Sequence, residues 1–548
     1  MPTLTFNLKE VEKYFGFNIE KNLRLFEKLK IEVEVNRKDN QVKFEFKDIN
    51  RPELFAIEIL AKELKAKLGK KIKEKGKIRK SEFFIKVDKN LKNIRPYILA
   101  IFVKNVKITE EFLAYLIQLQ EILAENYGRK RKMASIGIYD FDKVKWPVFY
   151  IAADPEKFKF TPLGLNESLN LKQILKKHEK GLVYGYILEG FKKYPLLIDS
   201  SNNVLSFPPI INSDYSGKVT TKTKNIIVEV TGLNKVFVSH IIDIFSSIFL
   251  ERGYDVYVVG IKEKKVEYYK SIEKTIDLNL KKINDFFGFN VDKKTIENLA
   301  SKFLAKTLFK KNIVRFIYPF YRYDIISEND VIEDLLIEYG YDKFKPSFDY
   351  LEFSQKGYMS KEYEIYKKVS SIMCSVAEEV NTGILTSKEI LTKAKQRNNF
   401  VFVSNPISKN YECLRNLIFP NLLDFLSYNK NVQMPIKIFE IGKVIEKNKE
   451  KNKSLEETHL AYLASSHSIT FTNARQDLEF LFRNLGVNFE IEEYQHDAFI
   501  EGRVAKIIVD KKETGFVGEI HPSVLEAFRI FHPVVVFEID LSFLNNKI

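Results

Sequence analysis

The sequence predicts a multidomain α+β protein, and three observations carry that prediction. The chain has 548 residues, several times one ordinary domain, so about three to five separate cores are expected. Buried-strand runs such as residues 225–230 alternate with helical-period stretches such as 109–126. One small module occurs twice: residues 3–22 (TLTFNLKEVEKYFGFNIEKN) match residues 275–294 (TIDLNLKKINDFFGFNVDKK) at 9 of 20 positions.

Each copy reads as a short strand, a helix ended by a glycine (Gly16, Gly288), a second helix, and then a strand, a polar turn and a further helix. In the first copy the strand is 42–46 and the turn Asp48 to Pro52, with Pro52 suited to the first turn of a helix over 53–68. Asp48 and Arg51 are expected to fasten that turn. The first module with its linker takes residues 1–80, the second 270–345. The Lys-rich run 70–80 (KKIKEKGKIRK) is a solvated linker or an RNA-facing patch.

Charge narrows the partners. With 88 Lys+Arg against 73 Asp+Glu the net charge is +15, which favours a polyanion such as RNA. Cys374 and Cys413 lie far apart with no Cys or His at metal-ligand spacing, so neither a disulfide framework nor a zinc site is indicated. The N-terminus shows no apolar signal region, and runs such as 97–103 are too short to span a bilayer. A cytoplasmic protein without a membrane partner is expected.

Two stretches carry candidate chemistry. In residues 204–232 (VLSFPPIINSDYSGKVTTKTKNIIVEVTG), Pro208 and Pro209 cannot donate to a sheet ladder and belong at an edge or bulge. Ser206, Asn212, Thr220, Thr221 and Thr223 surround that wall, and Glu229 and Thr231 share one side of their strand, so a small polar pocket is possible. The residue types alone also suit a stiff hairpin loop with solvated hydroxyls. Further on, Asp324 precedes Asp330, Glu333 and Asp334, which share a helix face, and such oxygen ligands suit Mg²⁺. The same spacing suits a helix start favoured by its dipole, with Ser327 and Asp330 as a capping box.

SFPPIIN (206–212) followed by NIIVEVTG (225–232) resembles the editing domain of the beta subunit of phenylalanyl-tRNA synthetase, in its shorter archaeal and eukaryotic form. RPYI, GIYD, FTPLG (160–164), the His178-x-Lys180-Gly181 string and DINRPELFAIEILAKELKAKLG fit the same family pattern. Residues 403–432, IKIFEIGKVI and GFVGEIHPSVLEAF (515–528) follow the order of its class II synthetase core, so the resemblance covers nearly the whole chain.

The resemblance implies winged-helix-like repeated modules, an α/β editing and tRNA-interacting domain over 83–266, and a class II synthetase-like antiparallel-sheet core over 347–548 that contacts an alpha subunit. It implies editing-pocket roles for Leu197, Ser206, Glu229 and Thr231, a wall shaped by Pro208 and Asn212, and Mg²⁺ on Asp324, Asp330, Glu333 and Asp334. The core is expected to be catalytically silent. Glu446 stands where an Arg for the ATP phosphate is expected, and PVVVFEIDLSF lacks the Gly-x-Arg of the third signature. The implied function is the beta subunit of an (αβ)₂ heterotetramer. Its alpha subunit binds ATP and attaches phenylalanine to tRNA(Phe), while this chain hydrolyses mischarged Tyr-tRNA(Phe). An RNA-binding scaffold with a decayed editing loop, or a free-standing deacylase, would use the same domains.

Overall fold

Asn7 and Asn279 start the same helix in the two modules, and each side chain accepts a backbone N–H of the first turn, from Glu10 and Lys281. The helices Leu8–Phe15 and Leu280–Phe287 bury Val11 and Phe15, or Ile283 and Phe287. They end at Gly16 and Gly288, whose φ of +71° and +76° is the left-handed conformation that glycine alone enters freely. Each module then forms a three-stranded antiparallel sheet with its last strand in the centre. In the first copy Gln41–Phe46 lies between Thr3–Asn7 and Ile31–Asn36. In the second, Ile313–Tyr318 lies between Lys274–Asn279 and Lys306–Lys310.

The copies differ at their second helix. Asp292 caps the ten-residue helix Lys293–Lys302 through its carboxylate. The first copy has no side-chain cap at Ile19 or Asn22 and forms only a 3₁₀ turn and the five-residue helix Leu23–Glu27. Pro52 opens the 3₁₀ turn Pro52–Phe55 rather than the long helix itself. Ala56 is extended, with ψ of 116°, so the helix begins at Ile57 and runs to Lys67.

The computed structural model describes residues 1–70, 72, 75–345, 359–396, 400–429, 431–447 and 453–546, so Lys71, Lys73 and Glu74 of the Lys-rich run and Lys430 lie outside the described residues. It divides into two units, 1–347 and 348–548. Between the two modules of the first unit stands a mixed ten-stranded sheet. One edge is the hairpin Val204–Phe207 and Ile211–Asn212, and the other edge is Ala134–Asp140, which pairs with Ile226–Gly232. The alternation along Ile226–Gly232 is the expected one. Ile226, Val228 and Val230 pack in the core with the helices Glu110–Ile122 and Lys235–Glu251, while Ile227 packs in the core on the other face.

The second unit is built on a seven-stranded sheet. All neighbours are antiparallel except Glu378–Glu379 with Ile436–Lys447. The helices Lys361–Met373 and Phe471–Leu485 contribute to the core on one face, and Phe419–Tyr428 and Pro522–Ala527 to the core on the other. Among the described residues no helix is long and apolar enough to cross a membrane.

Candidate functional site

The ten-stranded sheet curves so that its two edges meet. Asn212 Nδ2 on one edge donates to the Ile138 carbonyl on the other, at 3.4 Å. A cavity of about 240 Å³ lies at this closure, lined by Ser206, Pro208, Asn212, Gln120, Gly137 and Glu229. Pairing places Glu229 opposite Gly137 on one neighbour strand and Ala100 on the other. A Cβ at Gly137 would stand 2.1 Å from Tyr139 Oη and 2.6 Å from Glu229 Oε2. Glycine is therefore required for the carboxylate and phenol to pack where they do.

Tyr139 Oη donates to Glu229 Oε2 at 2.6 Å. Glu229 Oε1 and Ser206 Oγ are buried without a hydrogen-bond partner. Burial pushes the Glu229 carboxyl up to about 7, against the Tyr139 hydrogen bond, the Arg95 charge and the Thr231 hydroxyl, which all favour ionisation. Burial and the facing carboxylate hold the Tyr139 phenol well above its ordinary value. Arg95 is itself buried, and burial pulls it down to about 10. It donates to the Thr231 hydroxyl (3.0 Å) and carbonyl (2.7 Å) and to the Ser135 hydroxyl (3.0 Å).

The proline wall is fixed from behind. Arg131 Nη1 donates to the Ile210 carbonyl at 2.8 Å, and its Nη2 forks onto Glu121 at 2.8 and 2.9 Å. Arg129, Lys130 and Arg131 all have φ between 51° and 64°. Each costs about 1 kcal/mol in that region, and the buried Arg131 contacts hold the turn there. A cavity lined by residues that carry an unpaired buried acceptor and an unpaired hydroxyl favours a mainly apolar guest carrying a hydroxyl, since such a guest can satisfy the acceptor.

Residues 276–341 match the tRNA synthetase B5 domain, and residues 354–541 match the phenylalanyl tRNA synthetase beta chain CLM domain. The phenylalanine–tRNA ligase beta subunits of Pyrococcus horikoshii and Pyrococcus furiosus are 38% and 39% identical to the chain, each over 99% of both sequences. The chain belongs to the phenylalanine–tRNA ligase beta subunits. The Borreliella afzelii subunit is 34% identical over 92% of each chain. The crystal structure of an N-terminal fragment of the phenylalanyl-tRNA synthetase beta subunit from Pyrococcus horikoshii superposes with a TM-score of 0.59 at 36% identity, covering 62% of this chain and 100% of the fragment.

In this beta-subunit chain Ser206, Pro208, Asn212 and Glu229 line one cavity, while Leu197 and Thr231 do not. Leu197 pairs with Ser206 across the hairpin and packs into the core with Tyr139 and Tyr150. Thr231 belongs to the layer held by Arg95. Thr220 and Thr221 are exposed, and Thr223 donates to Asp140 at 3.0 Å. His178 caps the start of a helix by accepting the Lys180 N–H. Residue type alone does not single out Tyr139, Gly137 or Arg95. Their signal was their place inside GIYD and RPYI, two strings that already stood out.

The acidic group of the second module is arranged differently from the expectation. Arg322 Nε and Nη2 donate to the two oxygens of Asp324, both at 2.8 Å, and Nη2 also to Asp334 at 2.8 Å. Asp330 Oδ2 accepts the Ile326 and Ser327 N–H groups at 2.8 and 2.6 Å, as the capping-box reading foresaw. Glu333 is exposed, 3.8 Å from Lys30 Nζ. Among the described residues no group of three or more His, Cys, Asp or Glu side chains is placed to hold a metal ion. The four carboxylates therefore do not fit a shared Mg²⁺ as they stand: a fixed guanidinium already neutralises two, and a third caps the helix.

Proposed function

We propose that this chain is the editing and partner-binding subunit of a phenylalanine–tRNA ligase, acting beside an alpha subunit in an (αβ)₂ assembly in the cytoplasm. ATP-dependent attachment of phenylalanine to tRNA(Phe), with its Mg²⁺, belongs in this reading to the alpha active site. The observation that carries the editing role is that Glu229 and Ser206, which carry the unpaired buried Oε1 and Oγ, line the same cavity.

The need for a second site follows from the amino acids. A pocket shaped for phenylalanine rejects tyrosine poorly, since an added hydroxyl costs only about 10²-fold against an apolar wall. A cavity that accepts the phenol at Glu229 reverses the preference: tyrosine pairs the buried carboxylate, and phenylalanine leaves it unpaired. Tyr139 fills one carboxylate oxygen and so turns the other toward the guest. Ser206, under the proline wall, orients the ester. In the hydrolysis the oxygen of a water bonds to the acyl carbon, the ribose oxygen leaves, and it takes up the proton the water loses. Holding ester and water together supplies rate without a strong base.

The C-terminal unit suits a silent partner-binding role. Opposite Ala461, on the strands to either side of it, the carboxylates Glu440 and Glu538 are buried and already engaged. Arg415 and Thr382 donate to the first, and the Ile418 and Phe419 N–H groups to the second. The experiment that tests the editing role is deacylation by the assembled ligase. Glu229→Ala is expected to slow Tyr-tRNA(Phe) hydrolysis about 10–100-fold with phenylalanine attachment unchanged, and wild-type clearance of Tyr-tRNA(Phe) by that variant would overturn the assignment.

A further inference from the structure

The two repeat copies carry the same arginine with the same two partners. Arg51 donates from Nε to Glu53, two residues on, at 2.8 Å, and from Nη2 to Glu63, twelve on, at 2.9 Å. Arg322 donates from Nε to Asp324, two residues on, at 2.8 Å, and from Nη2 to Asp334, twelve on, at 2.8 Å. Asp324 and Asp334 are thus the counterparts of Glu53 and Glu63, at positions where the first copy gives no cause to expect a metal. Glu53, Glu63 and Arg322 are at most 1% exposed.

The two clamps also face each other. Arg51 Nε lies 3.9 Å from Asp324 Oδ2. Lys67, sixteen residues beyond Arg51, is ion-paired with Glu338, sixteen beyond Arg322. Equivalent residues that pair with one another mark an isologous contact, the kind made by two copies of one fold about a two-fold axis. Lys28 Nζ joins the pair at 3.2 Å from Glu338.

We propose that the two modules dock on each other as an internal pseudo-dimer through a duplicated arginine clamp, so that Asp324 and Asp334 are neutralised by Arg322 and not by a divalent ion. Removing one member of such a buried set leaves its partners uncompensated, whereas removing cation and anions together does not.

The test uses the full-length chain. Mn²⁺ is titrated against wild type and Asp334→Asn, and Tm is read with Mg²⁺ and with EDTA. The expectation is no Mn²⁺ binding that Asp334→Asn abolishes, and the same Tm in both buffers. One Mn²⁺ per chain, lost in Asp334→Asn, would overturn the proposal. Arg322→Met is expected to lower Tm by roughly 5–10 °C, with much of that recovered in Arg322→Met/Asp324→Asn/Asp334→Asn. No recovery would count against the clamp. The docking itself is read at the buried Lys67–Glu338 pair, which joins equivalent positions of the two copies. Lys67→Glu and Glu338→Lys should each lower Tm and the double exchange should restore it, while an additive double exchange would overturn the pseudo-dimer.

Discussion

At the scale of single residues, the proposed editing role rests on the Glu229–Tyr139 pair. With its carboxyl raised to about 7 by burial, Glu229 becomes a carboxylate acceptor only as pH rises through that value. Preference for Tyr-tRNA over Phe-tRNA should therefore grow between pH 6 and 8 and level off above, when hydrolysis of both esters is followed across that range. Tyr139→Phe removes the donor that favours ionisation and should move the midpoint of this profile upward. Glu229→Gln should flatten it. An unmoved midpoint in Tyr139→Phe would make the phenol a packing group only. The pair joins residues 90 apart in sequence. Glu229 was legible as the acceptor of its stretch, but its donor was not, because nothing local links a tyrosine on one strand to a carboxylate on the next until their register is set.

At the scale of elements, the repeated helix shows how much a short signal can specify. Polar N-cap, amphipathic turns and a left-handed glycine recur in both copies, each with a local physical cause, and the turns and the glycine are readable in order. Gly288 has nothing within 4 Å of a built Cβ, so a substitution there meets no clash, only its φ of +76°. Gly288→Ala should cost about 1 kcal/mol in chemical denaturation, and Gly288→Asn distinctly less, since asparagine tolerates that conformation. Equal losses for both would mean that the side chain rather than the backbone is at fault. The acidic helix Glu328–Tyr339 is the contrasting case. Its spacing allowed both a cap and a metal site, and the choice between them fell to Arg322, six residues before the helix.

At the scale of the whole molecule, the two units should answer pH separately. In the C-terminal unit burial pulls His459 down, but the hydrogen bonds its ring donates to Glu457 and Glu538, with the charges of Glu538 and Asp540, outweigh it and hold the imidazole up at about 9. Its Nδ1 stands 2.8 Å from Glu538 Oε1. A histidine raised in the folded state adds stability that is fully present below its unfolded value and is lost as pH rises through its folded one. The window is thus from about 6.5 to about 9, with ~3 kcal/mol as the upper bound. Calorimetry should show the transition of residues 348–548 moving down across that window in wild type and hardly at all in His459→Gln. An equal shift in the variant would place the effect elsewhere.

What the sequence by itself determined was whatever depends on neighbours in the chain: the duplicated module, its caps and glycine stops, the proline wall beside Ser206, and the face on which Glu229 lies. Even the clamp was present as a pattern, an arginine followed by acids two and twelve residues on, repeated at 51 and 322. What only the tertiary structure decided was which charges and hydroxyls face one another. Sheet curvature brings Asn212 to Ile138 and closes the cavity, leaves Leu197 and Thr231 behind its lining, and sets Tyr139 on Glu229. Likewise the docking of the two modules puts Arg51 beside Asp324. The reason is physical: a buried polar group takes whichever partner the packed backbone brings within about 3 Å, and that distance is fixed by strand register and domain docking, which no local run of residues encodes.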